Sequence, residues 1–399
     1  MSALESSGKP LFFPVGNPAV LGLEAPALRR GEAVRVHVRA LGGMQKEALV
    51  VGRRTGLAWR LASDEGAYLN GDDVAPCPLS FLTTGMVCSY MNELLALAKS
   101  RGIAIENLRL IQDNYYTMQG SALKGTMKGG ARDVELEAQI ESDAGRDLLT
   151  ELLHDATHSS PLNGLLRHER ISRFALRHNG RALDAGRLAP IDGAPAAILT
   201  DEAFDAAMPA GRVSEPGIAR NGPSPRTAEI TSAAGSSLAE HQDRVLHVRG
   251  ICTLRPDGIK AVEQQLFNPH GSIFHYLCEE APVNGGRGRA PDAATYISAG
   301  IAFCFMTQLG RYAHIAKRPL DDYRIVQDTH FSRGSAFGDT GAAGDADPVE
   351  TAVAIESAAD DDFARRALEM SEQTCFLHAL CRTPLRTRIR VRDFGQAAA

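Results

Sequence analysis

The amino-acid sequence predicts an α+β protein built from two copies of one unit, and three observations carry that expectation. Sliding the chain along itself by 215 positions sets Ile111-Gln112-Asp113 on Val326-Gln327-Asp328 and Ile140-Glu141-Ser142 on Ile355-Glu356-Ser357. Recurrence at one fixed offset is the mark of a tandem duplication. Within each copy the pattern runs strands, helix, strands, helix, strand, which fits α+β units better than a doubly wound parallel sheet. Two uncharged runs, Val74–Asn92 and Ala293–Gly310, also occupy equivalent places. Both approach membrane-span length, but polar residues such as Ser80, Thr83, Thr295 and Gln308 interrupt them. Each is therefore expected to be a buried helix.

Bulk properties narrow the function classes. The 399 residues suffice for two cores of ordinary size, and 44% apolar with 23% charged residues is ordinary for a globular protein. A net charge of −5 without a basic stripe disfavours nucleic acid and anionic membranes as partners. Seven irregularly spaced cysteines do not form a secreted disulfide framework, and no C-x-x-C pair suggests zinc. Neither a metal nor another cofactor is expected. The first residues lack a basic segment followed by an apolar core, so the expected location is cytoplasmic.

Residues 1–33 read as an irregular arm, 34–178 as the first repeat, 179–243 as an Ala/Gly/Pro-rich linker with one helical stretch at Asp201–Ala207, and 244–399 as the second repeat. Each repeat opens on β-rich sequence, His37-Val38-Arg39 matching His247-Val248-Arg249, with a later strand at Leu57–Leu61 or Ser272–Tyr276. An acidic turn follows, Ser63-Asp64-Glu65 or Cys278-Glu279-Glu280, before the uncharged helix. Strands are expected at Asn107–Gln112 and Val134–Glu141, matched by Tyr323–Gln327 and Val349–Glu356. Amphipathic helices at Gly145–His158 and Asp361–Thr374 precede closing basic strands at Ile171–Arg177 and Arg386–Arg392. The run Asp360-Asp361-Asp362 suits a helix start, where carboxylates complement the dipole.

The 215-residue shift sets Gly85 on Gly300, Ser89 on Cys304 and Ser160 on Cys375. Serine matches cysteine in size but not in redox chemistry, so one working site and one degenerate copy are expected. Cys77, Cys88, Cys252, Cys278 and Cys381 are read as inert core thiols. Ser89 and Ser160 lack the Gly-x-Ser-x-Gly setting of a nucleophilic serine. His330 and His378 are read as packed or surface residues. Asn284-Gly285-Gly286-Arg287-Gly288-Arg289 is read as a flexible loop, because no strand-to-helix fingerprint frames it.

The acidic turn, Gly285-Gly286, Pro291, the helix with Gly300-Ile301-Ala302-Phe303-Cys304, and Cys375 after the next helix resemble the OsmC/Ohr family of thiol-dependent peroxidases. The resemblance covers about 300 residues and leaves the arm and linker unmatched. It implies two OsmC-like repeats forming an intramolecular pseudo-dimer, with Cys304 attacking an organic hydroperoxide and Cys375 resolving the sulfenic acid. The implied partners are a small apolar hydroperoxide and an external dithiol reductant, and further homo-oligomers are possible. In that family an arginine and an upstream carboxylate activate the thiol. Here Ala293, Ala294 and Thr295 provide no carboxylate, with Asp292 one step further out. Arg249, Arg255, Arg287 and Arg289 are the candidate thiolate stabilisers, with Arg39, Arg53 and Arg54 able to reach across from the first repeat. Two other readings stand beside this one: a non-redox cysteine enzyme acting on a small apolar substrate, and a non-enzymatic binder of an apolar ligand.

Overall fold

The computed structural model describes residues 2–122, 124–211, 215–225, 242–336 and 343–395. The first half contributes α1 (Ala3–Ser6), β1 (Phe13–Pro14), β2 (Glu32–Gly42), β3 (Gln45–Gly52), β4 (Ala58–Ser63), α2 (Pro78–Ser100), β5 (Asn107–Gly120), β6 (Lys128–Ala131), β7 (Val134–Glu141), α3 (Arg146–Ser159), α4 (Gly164–Arg167) and β8 (Arg173–His178). Between the halves lie β9 (Arg181–Leu183), β10 (Ala189–Pro190), α5 (Asp201–Ala206) and β11 (Ile218–Pro223). The second half contributes β12 (Gln242–Leu254), β13 (Lys260–Asn268), β14 (Ser272–Cys278), α6 (Ala293–Ile315), β15 (Asp322–Phe331), β16 (Glu350–Glu356), α7 (Asp361–Thr374), α8 (Phe376–Cys381) and β17 (Thr387–Asp393).

The strands form two sheets, in the orders β1-β4-β3-β2-β15-β16-β8-β10 and β11-β14-β13-β12-β5-β7-β17, with β9 on β8 and β6 on β5. Each sheet mixes the halves. The meander β2–β4 finds its next neighbour in β15, and the meander β12–β14 finds it in β5. Parallel pairs complete each sheet, β16 with β8 and β17 with β7. Parallel neighbours need long crossovers; here the partners of β8 and β7 come from the opposite half, while the two-residue β10 adds a short parallel edge to β8. The result is a mixed fold of helices and two largely antiparallel sheets.

Charge pairing pins the joins. Opposite Asp328 on β15 stands Arg35, with both N···O contacts at 2.7 Å, and opposite Asp113 on β5 stands Arg249, with both at 2.9 Å. These bidentate contacts correct the match of His37-Val38-Arg39 to His247-Val248-Arg249. The structural counterpart of Arg249 is Arg35, an offset of 249 − 35 = 214 rather than 247 − 37 = 210. A short identical tripeptide misled the alignment, whereas the arginine must meet an aspartate on the adjoining strand.

Both faces of β3 are buried, which is why Ala48-Leu49-Val50-Val51 reads as a continuous apolar run rather than an alternating one. Ala48 and Val50 enter the main core, whereas Leu49 and Val51 face a smaller cluster with Phe13, Val15 and Phe204. The arm expected to be irregular is therefore part of the packed structure. Its strand β1 pairs with β4, and together with α5 it covers the outer face of the first sheet. The linker is likewise partly ordered, with β11 forming an edge strand on β14. Its residues 212–214 and 226–241 lie outside the described residues.

Between the sheets lie α2 and α6. Helix α2 packs on β5, β12 and β13, helix α6 on β2, β3 and β15, and the two helices pack on each other. Helix α6 is long and apolar enough to cross a membrane, but 89% of that window is buried inside the protein. Where the helices cross, side chains leave no room. A Cβ added at Gly85 would lie 2.7 Å from the Ala293 carbonyl oxygen, and one at Gly300 would lie 2.8 Å from the Leu82 backbone nitrogen. Both obstacles are backbone and cannot step aside.

This packing makes two outcomes measurable. In an exposed helix, Gly→Ala stabilises by about 1 kcal/mol; here steric overlap reverses the sign. Gly85→Ala and Gly300→Ala are each expected to destabilise by about 1–3 kcal/mol in urea unfolding. The second outcome concerns His37 and His378, whose pKa values burial pushes down to about 3, assisted by Arg35 and Arg382 respectively. Both rings are neutral when folded and have the ordinary value when unfolded. Their stabilising contribution is thus complete above about pH 6.5 and is lost as the pH falls towards 3. Nitrogen NMR of labelled imidazoles should show both rings still neutral at about pH 5, where an exposed histidine is charged.

Candidate functional site

Cys304 lies midway along α6 and is 2% exposed, while Cys375 is the single residue joining α7 to α8 and is fully buried. The two thiols are near enough for Cys375 to raise the pKa of Cys304. The start of α8 also serves both sulfurs. The His378 N–H donates to Cys375 Sγ at 3.5 Å, and the Leu377 N–H lies where it favours ionisation of Cys304. The first N–H groups of a helix have no intrahelical partner, so they are free to do this.

The same arrangement recurs with oxygen in place of sulfur. Ser89 Oγ lies 2.7 Å from Ser160 Oγ, and the Asn163 N–H donates to Ser160 Oγ at 3.4 Å. Ser89 and Ser160, 71 positions apart, meet because α3 folds back onto α2, and the packing of α7 on α6 brings Cys375 towards Cys304 in the same way.

Burial, first, then the Cys375 thiol and the Glu65 carboxylate hold the Cys304 pKa well above the usual thiol range; the Leu377 N–H acts the other way. The resting group is a neutral thiol. Its ionic neighbours come from the other half of the chain. Glu65 follows β4 and accepts hydrogen bonds from Tyr68 Oη at 2.6 Å and from Thr307 Oγ1 on α6 at 3.1 Å. Lys46 on β3 is 2% exposed and donates to the Met44 carbonyl. Burial pushes its ammonium down, while Glu65, Asp64 and Cys304 pull it back up. Arg311, one helical stretch beyond Cys304, is pushed down to about 10 by burial and by Arg244, with Glu65 acting the other way.

The arginines suggested by sequence are engaged elsewhere. Arg249 is held by Asp113, and Arg255 by Glu215 at 2.9 Å and Asp257 at 3.3 Å. Arg289 binds Glu279 at 2.6 Å and Asp257 at 3.1 Å, and Arg287 is exposed on the same loop. Arg39 joins Glu47, Asp201 and Asp205, and Arg53 is exposed. Arg54 lines a cavity on the Ser89 side. Asp292 caps its own helix by accepting the Thr295 N–H at 2.8 Å, and it lines that same Ser89 cavity. Sequence reasoning thus missed Lys46 and Glu65. The acidic turns were visible, but nothing in the chain said that the first would serve the second cysteine.

The remaining thiols divide between the two sides. Cys77 is pushed up to about 12 by burial and by Glu65. Cys88 adjoins Cys252 and Cys278, with Lys260 nearby, and burial holds both Cys88 and Cys278 well above their usual range. His378 Nδ1 lies 2.8 Å from Ser172 Oγ, and its ring packs on Phe174 and Phe305. His330 is buried as well. Among the described residues, no group of three or more His, Cys, Asp or Glu side chains is arranged to hold a metal ion.

Comparison with solved structures finds the crystal structure of an OsmC-like hydroperoxide resistance protein from Jannaschia sp. CCS1. It is 21% identical, and the match covers 39% of this chain and 99% of that chain at a TM-score of 0.26. No family model matches the sequence, and no curated protein matches it.

Lys46 is buried, and a Cys304 thiolate would favour its charged form and be favoured by it, which makes its role measurable. In Lys46→Met, the pH profile of Cys304 alkylation, read by mass spectrometry, should shift upward by about one unit, a tenfold loss of thiolate at a given pH. A purely structural lysine would change protein stability and leave that profile in place.

Proposed function

We propose that this chain is a fused pair of OsmC-like units that reduces organic hydroperoxides, with Cys304 as the attacking thiol and Cys375 as the resolving thiol. The observation that carries the reading is that the buried Cys375 thiol influences the ionisation of the buried Cys304 thiol beside the start of α8. The fused-pair reading is supported by the matching strand orders β4-β3-β2-β15-β16-β8 and β14-β13-β12-β5-β7-β17, each completed by the other half.

The chemistry balances with two thiols and one peroxide. Deprotonated Cys304 sulfur attacks the distal oxygen, the O–O bond breaks, and the alkoxide leaves as an alcohol after taking the proton that Cys304 released. The sulfenic acid on Cys304 is then attacked by Cys375, which forms the disulfide and expels water. An external dithiol reopens the disulfide by exchange. In this reading Lys46 supplies the positive charge that favours the thiolate, and Glu65 is positioned by Tyr68 and Thr307 to take part in moving its proton. Because the thiol pKa is raised, turnover should climb with pH through the alkaline range.

The test is direct. Reduced protein receives one equivalent of cumene hydroperoxide, and its thiols are then mapped by mass spectrometry. The expected product is a Cys304–Cys375 disulfide formed with one peroxide consumed. Cys304→Ser should abolish consumption, whereas Cys375→Ser should stop at a sulfenic acid that dimedone traps. Both thiols remaining reduced while the peroxide survives would sink the peroxidase reading in favour of non-redox chemistry or ligand binding.

A further inference from the structure

A cavity of about 190 Å³ lies between an edge of each sheet. Phe12, ahead of β1, and Trp59 and Leu61 on β4 come from the β1–β4 edge of the first sheet, and Ile218 comes from β11, the edge of the second. Pro291 and Tyr296, on either side of the start of α6, complete this apolar lining. An apolar cavity of about 150 Å³ admits benzene, so this space has room for one six-membered aromatic ring with a small substituent. Neither cysteine of the thiol pair lines it, nor do Lys46 and Glu65. The site therefore stands apart from the proposed peroxide chemistry.

One polar group in that lining is unspent. Trp59 is 5% exposed, and its indole Nε1 has no hydrogen-bond partner among the described residues. Nor is Nε1 sealed from solvent, as the unpaired nitrogens of His37 and Arg311 are. It keeps its accessible surface on the cavity that the ring lines. A donor in so buried a position costs free energy until an acceptor reaches it. The other polar side chains are already committed. Tyr296 Oη donates to the Leu277 carbonyl at 2.6 Å. At the rim, Glu215 is held by Arg255 at 2.9 Å, and Arg289 by Glu279 at 2.6 Å and by Asp257 at 3.1 Å. With both charges paired, the cavity suits a neutral guest, and the lone donor selects one that carries an acceptor.

We propose that this cavity binds a small neutral aromatic carbonyl compound, its ring packed between Phe12 and Trp59 and its oxygen accepting the Trp59 indole N–H. Aromatic walls favour a flat ring, and a single well-placed polar group in an apolar pocket fixes the orientation of its guest. The cavity can also be filled from within. Gly217 lines it, and a Cβ added there would meet only Pro291 Cδ, at 3.9 Å, an ordinary contact. Its φ lies outside the left-handed region, so a larger residue at this position takes up the space without straining the backbone.

Trp59 is the sole tryptophan of the chain, so the nitrogen-labelled full-length protein has a single indole N–H resonance to follow by NMR. Titration with acetophenone should move that resonance along a saturable one-to-one curve. Calorimetric titrations with acetophenone and with ethylbenzene, which keeps the ring but lacks the oxygen, then isolate the hydrogen bond. In Trp59→Phe the ratio of acetophenone to ethylbenzene affinity should fall about fivefold or more, because the donor is gone while a ring remains. Gly217→Leu should weaken binding of both compounds about tenfold or more, as the added side chain occupies their space. The proposal is overturned by an indole resonance that acetophenone leaves in place, by an affinity ratio that Trp59→Phe does not change, or by undiminished binding to Gly217→Leu.

Discussion

The close approach of α2 and α6 at Gly85 and Gly300 governs how every other layer of the protein is placed. With no side chain on either glycine, the helix backbones touch, and each helix is free to present its remaining circumference to a sheet. That contact is why both helices are apolar all round instead of striped. It also sets the spacing of the two sheets, since α2 rests on one and α6 on the other. A methyl group at either crossing point pushes both layers apart.

From that crossing the site follows. Cys304 lies one turn beyond Gly300, and Ser89 one turn beyond Gly85, so each faces the helix that folds back along its own side. Strand exchange then brings the acidic turn and β3 of one half beside the thiols of the other. Lys46 and Glu65 could not meet Cys304 within a single unit's sheet. The cost is burial: a thiol with so little water around it stays protonated, and only a cation of comparable depth offsets that. On the opposite side the corresponding pair is Lys260 and Glu280, and Glu280 accepts from the amides of Asn92 and Asn284.

Much of this was legible in the sequence because it is local. The strand Val134–Glu141 and the helix Asp361–Thr374 fall where periodicity and the Asp360 cap predict them, and Asp360 does accept the Phe363 N–H at 2.8 Å. The fully buried strand β3 is harder to read, since its apolar run has no alternation to mark it. The arginines were misjudged for a different reason. Composition offers many cations, but strand register hands Arg249 to Asp113, and loop packing hands Arg255 to Glu215 and Arg289 to Glu279.

Spacing along the chain was enough to order the elements and to set Ser89 and Ser160 on Cys304 and Cys375 at one shift. Folding in three dimensions was needed to establish which half completes which sheet, which lysine and carboxylate stand beside Cys304, and where a cavity remains. Those depend on contacts between residues some two hundred positions apart, such as Glu65 with Thr307 and Asn92 with Glu280. Such contacts leave no local periodicity to read; they are fixed when the strands of one half pair with those of the other.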